Sequence, residues 1–444
     1  MVGGCPLCQG PAQGGGVNTD GGGPVPPSAG MVAGRAGRQS GRTLTSAGEM
    51  GFRMRVLFVP ASAPSHYFPM VPLIWACRTA GHEVCVAAQP WGGSVVPGSG
   101  VPMVTIAESF DMTAELARHR PRVPAATPAA PVGPLHAAMI DAQIRFAAEA
   151  ARDLVALARD WRPGLVVADP LVLAAAPAAA AAGAPLVHHL WGPDMLRAHE
   201  YGYPGCGIPL SAWPEALRGL YARHGCEPRV ENAVATVDPW LGAMGIAETP
   251  SRIPIRFVPY NGSGVLPRPL LAPPRGRRVL VTWGSLLAIR EGMAAFPVAE
   301  VVGALRAHGA EVVVAVTGAD RRWTRDLPPE VTVVENVPLN AIMPSCDAAV
   351  HHGGGGTIMT AAYHGVPQLT LTATLDTRTC CERLAATGAG VSLDLLDLTP
   401  DALSDAVGEV LTGDRTRKAA AELRTEVLAQ PAPADVAARV TALA

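Results

Sequence analysis

The feature that most constrains the fold is a rhythm of short apolar runs followed by helical segments, which the chain repeats in two series. The first series comprises RVLFVPA (55–61), EVCVAAQ (83–89), LVVAD (165–169) and PLVHHLW (185–191). The second comprises RVLVTWG (278–284), EVVVAVTG (311–318), VTVVENV (331–337), DAAVHH (347–352) and VPQLTLT (366–372). Continuous apolar strands that alternate with helices are typical of a parallel sheet covered on both faces. The sequence therefore predicts an α/β protein with two doubly wound domains.

The spacing of these elements predicts the domain boundaries. At 444 residues the chain is long enough for two domains of ordinary size. We expect an N-terminal domain over 54–256, a proline-rich linker over 257–277 and a C-terminal domain over 278–428. The remaining segment, 429–444, is predicted to form a helix that packs back on the N-terminal domain. Ligands of such sheets bind at the carboxyl ends of the strands.

The segment before the first strand has a different composition. Residues 1–53 are rich in Gly, Pro and Ser and contain no apolar stretch of the kind found in a secretory signal. This composition predicts a disordered extension. We expect translation of the natural protein to begin at Met50 or Met54.

Charge and cysteine content exclude several classes of protein. The 35 basic and 37 acidic side chains leave a formal charge of −2, which favours neither nucleic acid nor an anionic membrane as a partner. No apolar run reaches transmembrane length. The nine cysteines are scattered, and Cys5 and Cys8 have no second pair at zinc-ligand spacing, so neither a disulfide framework nor a metal site is predicted. A cytoplasmic protein in a reducing compartment is expected.

The most unusual run is HHGGGGT (351–357), in which four glycines separate two histidines from a helix predicted to begin at Thr357. The first N–H groups of a helix are unsatisfied and partly positive, and glycine lets a phosphate approach them. A tight turn that needs positive φ is the alternative explanation, but one or two glycines would suffice for it. We therefore predict a phosphate site. The G-x-G-x-x-G and G-x-x-x-x-G-K-[ST] patterns are absent here, which disfavours a standard dinucleotide or P-loop site.

His66 is a candidate general base. It follows the first predicted strand, at a loop-to-helix junction that faces the cleft in a doubly wound fold. Imidazole titrates near neutral pH, which suits the removal of a proton from a hydroxyl group. A single histidine is more often a surface or structural residue, so the residue type alone does not decide its role.

The ordered motifs resemble those of family 1 glycosyltransferases with the GT-B fold. The segments that carry the resemblance are HHGGGGTIMTAAYHGVPQ (351–368), LDTRTCCERLAATGAG (375–390) and MRVLFVPASAPSHYFPMVPLIWACRTAGHEV (54–84). LWGPD (190–194) and VPYNGSGVLP (258–267) narrow it to actinomycete enzymes that attach deoxysugars to macrolide, anthracycline, angucycline or enediyne aglycones. The resemblance covers about residues 54–430 of the printed sequence.

The resemblance implies two Rossmann-like domains that face each other across a cleft. The N-terminal domain would bind the acceptor, an apolar polyketide-like aglycone, and the C-terminal domain the donor, a dTDP- or UDP-sugar. Transfer would invert the anomeric centre without a metal ion or other cofactor. No D-x-D motif occurs near the donor segments, where the sequence has only DLLD (394–397), and this fits a metal-independent route. A cytochrome-P450-like auxiliary protein and a homodimer are the protein partners left open. The product would belong to antibiotic biosynthesis.

The candidate site residues fall into five groups. His66 matches the catalytic base of the family. Family members often pair this base with an Asp, for which Asp111 stands at a plausible chain distance and Asp169 ends a predicted strand, although each could equally be a turn or cap residue. The residues at the donor diphosphate are Gly284, Ser285, His352, Gly353, Gly354, Gly355, Gly356 and Thr357. Val337 and Pro338 lie at the nucleobase, and Asp376 and Thr377 at the donor sugar. Tyr67, Phe68 and Trp191 are the expected acceptor contacts.

One departure from the family pattern concerns the sugar. Glutamine commonly follows the acidic residue, whereas Thr377 and then Arg378 follow Asp376 here. The missing carboxamide leaves the hydroxyl pattern of the donor sugar open, and a sugar that lacks a hydroxyl at that place is one option. A nucleotide-sugar epimerase and a non-catalytic auxiliary protein of the same fold are the alternative functions, and transfer to an aromatic carbon instead of a hydroxyl is also open.

Overall fold

The computed structural model describes residues 53–112, 114–115, 132–197, 202–284, 296–372 and 375–444. For 132–136, 319, 375 and 376 only the backbone is described. The expectation of a disordered extension over 1–53 falls outside the described residues except for Arg53, and Ser285 also lies outside them.

Seven parallel strands form the first sheet. They are β1 (Arg55–Val59), β2 (Glu83–Ala88), β3 (Met103–Thr105), β4 (Leu165–Ala168), β5 (Leu186–His189), β6 (Ala235–Asp238) and β7 (Arg252–Pro254). Their spatial order is β3-β2-β1-β4-β5-β6-β7. The order reverses between β1 and β4, which places the topological switch point of a doubly wound fold at those two strands.

Helices cover both faces of this sheet. The described helices are α1 (Pro64–Tyr67), α2 (Val71–Thr79), α3 (Gly92–Gly98), α4 (Val132–Trp161), α5 (Ala175–Ala182) and α6 (Glu215–Arg223). Leu57 and Val59 of β1 pack on the side of α4 and α5, while Val56 and Phe58 pack on the side of α2. Since successive strand residues point to opposite faces, burial of both faces explains the continuous apolar runs of the sequence.

Six parallel strands form the second sheet. They are β8 (Arg278–Thr282), β9 (Glu311–Val316), β10 (Thr332–Glu335), β11 (Ala348–His351), β12 (Gln368–Thr372) and β13 (Gly390–Asp394), in the order β10-β9-β8-β11-β12-β13. This is the Rossmann strand order. The second series of apolar runs in the sequence does not include β13, which is a half-buried edge strand paired with β12.

The helices of the second half complete the fold. They are α7 (Val298–Ala307), α8 (Leu339–Ile342), α9 (Gly355–His364), α10 (Leu375–Ala386), α11 (Pro400–Thr412), α12 (Asp414–Ala429) and α13 (Pro433–Thr441). The expected α/β class with two doubly wound domains is confirmed. None of the helices in the described ranges is long and apolar enough to cross a membrane.

Within the described ranges, two sets of contacts join the half of the molecule that contains the first sheet to the half that contains the second sheet. An apolar cluster, which we name the junction cluster, combines Trp240, Leu241, Met244 and Phe257 of the first half with residues of α9, α10 and α12, among them Ile358, Met359, Cys381, Leu384 and Leu423. At the other contact, α13 returns to the first half, where it packs on α2 and buries Val436 and Val440 in the same core as Leu73 and Ile74.

Because α13 packs on α2, a cavity between these two helices should destabilise the protein. Replacing fully buried Val440 by Ala should lower the free energy of unfolding by about 1–3 kcal/mol, because the lost methyl groups leave a cavity between α13 and α2. Urea unfolding followed by circular dichroism measures this. The matched control is Arg439→Ala on the exposed side of the same helix, for which we expect a change within about 0.5 kcal/mol. Equal effects of the two substitutions would contradict the packing of α13.

Candidate active site

His66 and Asp169 form a hydrogen-bonded pair at the carboxyl ends of neighbouring strands. Nδ1 of His66 lies 2.7 Å from Oδ2 of Asp169. The Asp169 side chain is fully buried, and its Oδ1 accepts the Leu171 N–H at 2.9 Å. A carboxylate only accepts hydrogen bonds, so Nδ1 of His66 carries the proton and donates it. Nε2 is then the nitrogen that can accept a proton, and the His66 side chain keeps 13% of its surface exposed for a partner.

The strand order explains why these two residues meet although 103 positions separate them in the chain. Val59 and Ala168 are register partners at the ends of β1 and β4, and the chain leaves both strands at the same edge of the sheet. Asp169 follows β4 directly. His66 lies in α1, whose first residue is Pro64, a residue favoured at a helix start because its φ is already helical.

Asp111, the other predicted partner, lies elsewhere. It is exposed, and its carboxylate accepts the N–H of Ala114 at 2.9 Å, as the first residue of a turn commonly does. The ring of His66 contacts Asp169 instead. Chain distance suggested Asp111, whereas the pairing of β1 with β4 selects Asp169.

The three predicted acceptor contacts occupy different environments. The indole of Trp191 lies over the imidazole of His66, with 4.4 Å between ring centroids and 32° between the planes. Phe68 packs edge to face on Tyr260 at 5.4 Å. The prediction that Tyr67 contacts the acceptor is wrong. Tyr67 is wholly buried, and its hydroxyl pairs with Ser99 Oγ at 2.6 Å. Burial raises the pKa of Tyr67 to about 12. A side chain with no exposed surface cannot line the cleft.

Helix α9 begins at Gly355, two residues earlier than expected, so the last two glycines form its first turn. Gly354 precedes the helix, and its carbonyl accepts the N–H groups of Thr357 and Ile358 at 3.0 Å each. The N–H groups of Gly355 and Gly356 stand at the positive end of the helix, where no residue of the same helix can accept from them.

The first two positions of the run require glycine for steric reasons. Gly353 has a φ of +90°, and a Cβ built on it would overlap Sγ of Cys381. A Cβ on Gly354 would lie 2.6 Å from Nε2 of His352, and one on Gly284 would overlap the same ring. Gly284 itself has a φ of +70°. Glycine at 284 and 354 therefore lets the imidazole of His352 lie directly against backbone.

His351 is a structural residue of the loop. Its Nδ1 accepts the Gly353 N–H at 3.1 Å, so the proton resides on Nε2, which lies 3.0 Å from Oε1 of Gln368. The Gln368 amide in turn donates to the Ile358 carbonyl at 3.3 Å. Burial lowers the pKa of His351 to about 3, so the ring is neutral at ordinary pH and ties the glycine loop to β12.

The remaining predicted positions lie around the same edge of the second sheet. Val337 and Pro338 follow β10, and the Pro338 ring leaves no room for a side chain at Gly264 of the linker. Thr377 lies beside Gly353, with its Cβ 3.5 Å from the place a Cβ on Gly353 would take. Asp376 is in the first turn of α10, but its side chain is outside the described residues, as is all of Ser285.

One residue at the site escaped the sequence analysis. Trp240 is fully buried behind Gly355, across the contact between the two halves. Its only sequence signal was its position just after an apolar run, ATVD (235–238), that the pattern did not mark as a strand. Within the described ranges, no group of three or more His, Cys, Asp or Glu side chains is arranged to hold a metal ion.

Comparison with known proteins identifies the family. The family model for the N-terminal domain of erythromycin biosynthesis protein CIII-like proteins matches residues 75–284, and the model for their C-terminal domain matches residues 299–443. The chain belongs to this family of glycosyltransferases. It is a family 1 natural-product glycosyltransferase with the GT-B fold, which confirms the resemblance drawn from its motifs.

Individual relatives cover nearly the whole enzyme. The tylactone mycaminosyltransferase of Streptomyces fradiae is 34% identical over 425 residues, spanning 88% of this chain and 93% of the relative. The 3-alpha-mycarosylerythronolide B desosaminyl transferase of Saccharopolyspora erythraea is 32% identical, spanning 86% and 96%. The crystal structure of the glycosyltransferase VinC in complex with dTDP superposes with a TM-score of 0.72 at 30% identity, covering 88% of this chain and 99% of VinC.

The different surroundings of Gly353 and Gly356 predict unequal responses to alanine. Gly353→Ala should destabilise the enzyme by about 2–4 kcal/mol, because the left-handed backbone disfavours a Cβ and that Cβ would overlap Cys381. Gly356→Ala is the matched control, since a Cβ there meets no atom within 4 Å and the residue is helical. Thermal unfolding without ligand measures both variants. A stable Gly353→Ala variant would refute the steric role of that glycine.

Proposed function

We propose that the enzyme transfers a deoxysugar from a dTDP-sugar, or from a UDP-sugar, to a hydroxyl group of an apolar polyketide-type aglycone in antibiotic biosynthesis. The transfer inverts the anomeric carbon and needs no metal ion. The observation that carries the proposal is the hydrogen bond from His66 to buried Asp169, which prepares a base on the acceptor half. Relatives named as deoxysugar transferases of antibiotic pathways and a dTDP complex of the same fold support the choice of substrates.

The base step follows from the tautomer of His66. Nε2 accepts the proton of the acceptor hydroxyl while the oxygen attacks the anomeric carbon. The imidazolium that forms donates from Nδ1 to Asp169, whose negative charge stabilises it and fixes the ring orientation. As the new C–O bond forms on one face of the sugar, the bond to the diphosphate breaks on the other, so the configuration inverts.

The leaving diphosphate is placed at the start of α9. The backbone N–H groups of Gly355 and Gly356 and the helix dipole stabilise the negative charge that develops on it. His352, held between Gly284 and Gly354, and the hydroxyl of Thr357 are the side chains expected to donate to its oxygens. These donors take the electrostatic role that a cation has in metal-dependent transferases, and Gly356 has open space for a ligand in front of it.

Residues around this centre would select the two substrates. Trp191 offers an aromatic face next to His66 for a flat or apolar aglycone, and Phe68 packs on Tyr260 of the linker. On the donor side, Thr377 replaces the carboxamide usual in the family. A shorter side chain with one hydroxyl matches a sugar that lacks a hydroxyl group at that place, as deoxysugars do.

The base assignment predicts a selective loss of turnover. His66→Ala should lower kcat by about 10²–10⁴-fold, because the acceptor hydroxyl loses its general base, while dTDP affinity stays within about twofold. Steady-state transfer rates and calorimetric titration with dTDP measure the two effects. The control is His308→Ala, which removes an exposed histidine of the second half. A His66→Ala enzyme with unchanged kcat would rule out His66 as the base.

Asp169→Asn tests the positioning of that base by the same measurements. An asparagine keeps the size of the side chain, but its amide offers a donor to Nδ1 and so favours the wrong tautomer of His66. We expect kcat to fall by at least about 100-fold with little change in unfolding temperature. Asp111→Asn serves as its control and should leave kcat unchanged.

The substrate assignment is tested by mass spectrometry of reactions with a panel of aglycones and several dTDP- and UDP-sugars, each with and without EDTA. We expect a glycoside whose mass equals acceptor plus deoxysugar, in equal yield with EDTA, and an inverted anomeric configuration by NMR. Donor turnover without acceptor would point to an epimerase. Binding without product, relieved by a P450-like protein, would show that an auxiliary partner is required. An acid-stable product would indicate C-glycosylation.

A further inference from the structure

The third glycine of the run faces protein, whereas the fourth faces open space. A Cβ built on Gly355 would lie 3.0 Å from Cζ2 of Trp240, 3.6 Å from the Trp191 carbonyl oxygen and 3.8 Å from Cα of Gly192. A Cβ on Gly356 would meet no atom within 4 Å. Neither residue has a positive φ. Conformation therefore does not demand glycine at 355. Glycine is required at 355 because this residue is in close contact with the other half of the molecule.

The surface that Gly355 meets is rigid. Trp240 is 1% exposed. Its backbone N–H donates to Oδ1 of Asp238 at 2.8 Å, and its backbone carbonyl accepts from the Arg252 guanidinium at 2.6 Å. Arg252 also pairs with Oδ2 of Asp238 at 2.6 Å. Asp238 ends β6 and Arg252 begins β7, so two neighbouring strands hold the backbone of Trp240 in place, and its indole is buried in the junction cluster.

The same surface continues to the base. A Cβ on Gly192 would lie 3.9 Å from Nε1 of Trp240, and the preceding residue, Trp191, stacks on His66. Asp194, two residues further, accepts from Nε of Arg197 and from the Thr249 hydroxyl at 2.9 Å each. Both Asp194 and Arg197 are almost fully buried. The segment that carries the base-stacking indole is thus fixed at both ends.

We propose that the contact of Gly355 with Trp240 and the Trp191–Gly192 segment is a positioning device, which sets the distance between the base on the first half and the leaving-group site on the second. Gly355 is the first residue of α9, so its contact fixes the helix end itself. Ile358 and Met359, one turn further along α9, pack with Trp240 in the junction cluster and fix its direction. Trp240 acts through other groups and is a positioning residue, and its contact with Gly355 positions the N–H groups that the proposed function assigns to the diphosphate. The expectation that a disturbed contact lowers kcat rests on the proposed function.

A methyl group at 355 tests the device. In Gly355→Ala, α9 or Trp240 must move by a few tenths of an ångström to relieve the 3.0 Å contact. Since attack geometry is sensitive to displacements well below 1 Å, we expect kcat to fall by about tenfold. The N–H groups at the start of α9 are all retained, so dTDP affinity should stay within about twofold of the wild-type value.

Trp240→Phe is combined with Gly355→Ala in a double-mutant cycle, because a phenyl ring does not extend to the position of Cζ2 of Trp240. The double variant Gly355→Ala with Trp240→Phe should regain at least about threefold in kcat over Gly355→Ala alone, a coupling of the sign expected for two groups in contact. Gly356→Ala provides the contrast on the same helix turn. Its methyl enters the space in front of the helix, so it should raise the donor KM and should not respond to Trp240→Phe.

The experiment measures kcat, donor KM, dTDP affinity and unfolding temperature. The proteins compared are the wild type, Gly355→Ala, Trp240→Phe and their double variant, together with Gly356→Ala alone and in combination with Trp240→Phe. Loss of kcat at constant dTDP affinity, relieved by Trp240→Phe, supports the proposal. It is overturned if Gly355→Ala lowers only dTDP affinity or if Trp240→Phe brings no relief. Should Gly355→Ala misfold, recovery of folding in the double variant supports the contact and persistent misfolding overturns it.

Failure of the proposed function has a different signature. It would show as absence of glycoside from the wild-type enzyme with every aglycone and donor tested. The coupling of unfolding temperatures between positions 240 and 355, measured without substrate, still decides whether the contact constrains the two halves. Coupling supports it, and additive effects overturn it.

Discussion

The parallel alignment of all strands in both sheets is the constraint on which the rest of the structure depends. It brings every carboxyl end to one edge of each sheet, and the described site residues follow strand ends. In the first half, β1, β4 and β5 lead to His66, Asp169 and Trp191. In the second half, β8 and β11 lead to Gly284 and His352. Burial of both sheet faces makes these ends rigid, so short polar side chains meet with hydrogen-bond accuracy across long stretches of chain.

Burial also determines how charge is used at the site. Asp169 is taken out of water, and its Oδ2 accepts from Nδ1 of His66, so the buried carboxylate fixes the tautomer and the orientation of the ring. On the other half, the glycine loop carries no side-chain cation, and the positive character comes from backbone N–H groups and the dipole of α9. In the proposed function, one half accepts a proton and the other accepts a departing anion. The two functions need separate surfaces held at a set distance.

The glycine run serves these needs with a separate reason at each position. Gly353 adopts a left-handed turn against Cys381, and Gly354 makes room for the His352 ring. Gly355 allows contact with Trp240 of the other half, and Gly356 leaves space in front of the helix. The phosphate and the tight-turn explanations of the run were therefore not exclusive. His351, the first histidine, holds the turn through the Gly353 N–H, and His352, the second, lies against two glycines.

The sequence by itself determined the α/β class, the two series of strands, the identity of the family and the position of His66 at a strand end. These follow from local patterns, because apolar runs, turn residues and ordered motifs are readable without knowing what packs where. The start of α9 at Gly355 and the edge strand β13 were missed, since glycine-rich helix starts and half-buried edges carry weak local signals. Only the tertiary structure selected Asp169 over Asp111, placed Tyr67 in the core and set Trp240 against Gly355. Each of those outcomes depends on which strands are neighbours and which halves touch, and that information is carried by contacts between residues far apart in the chain.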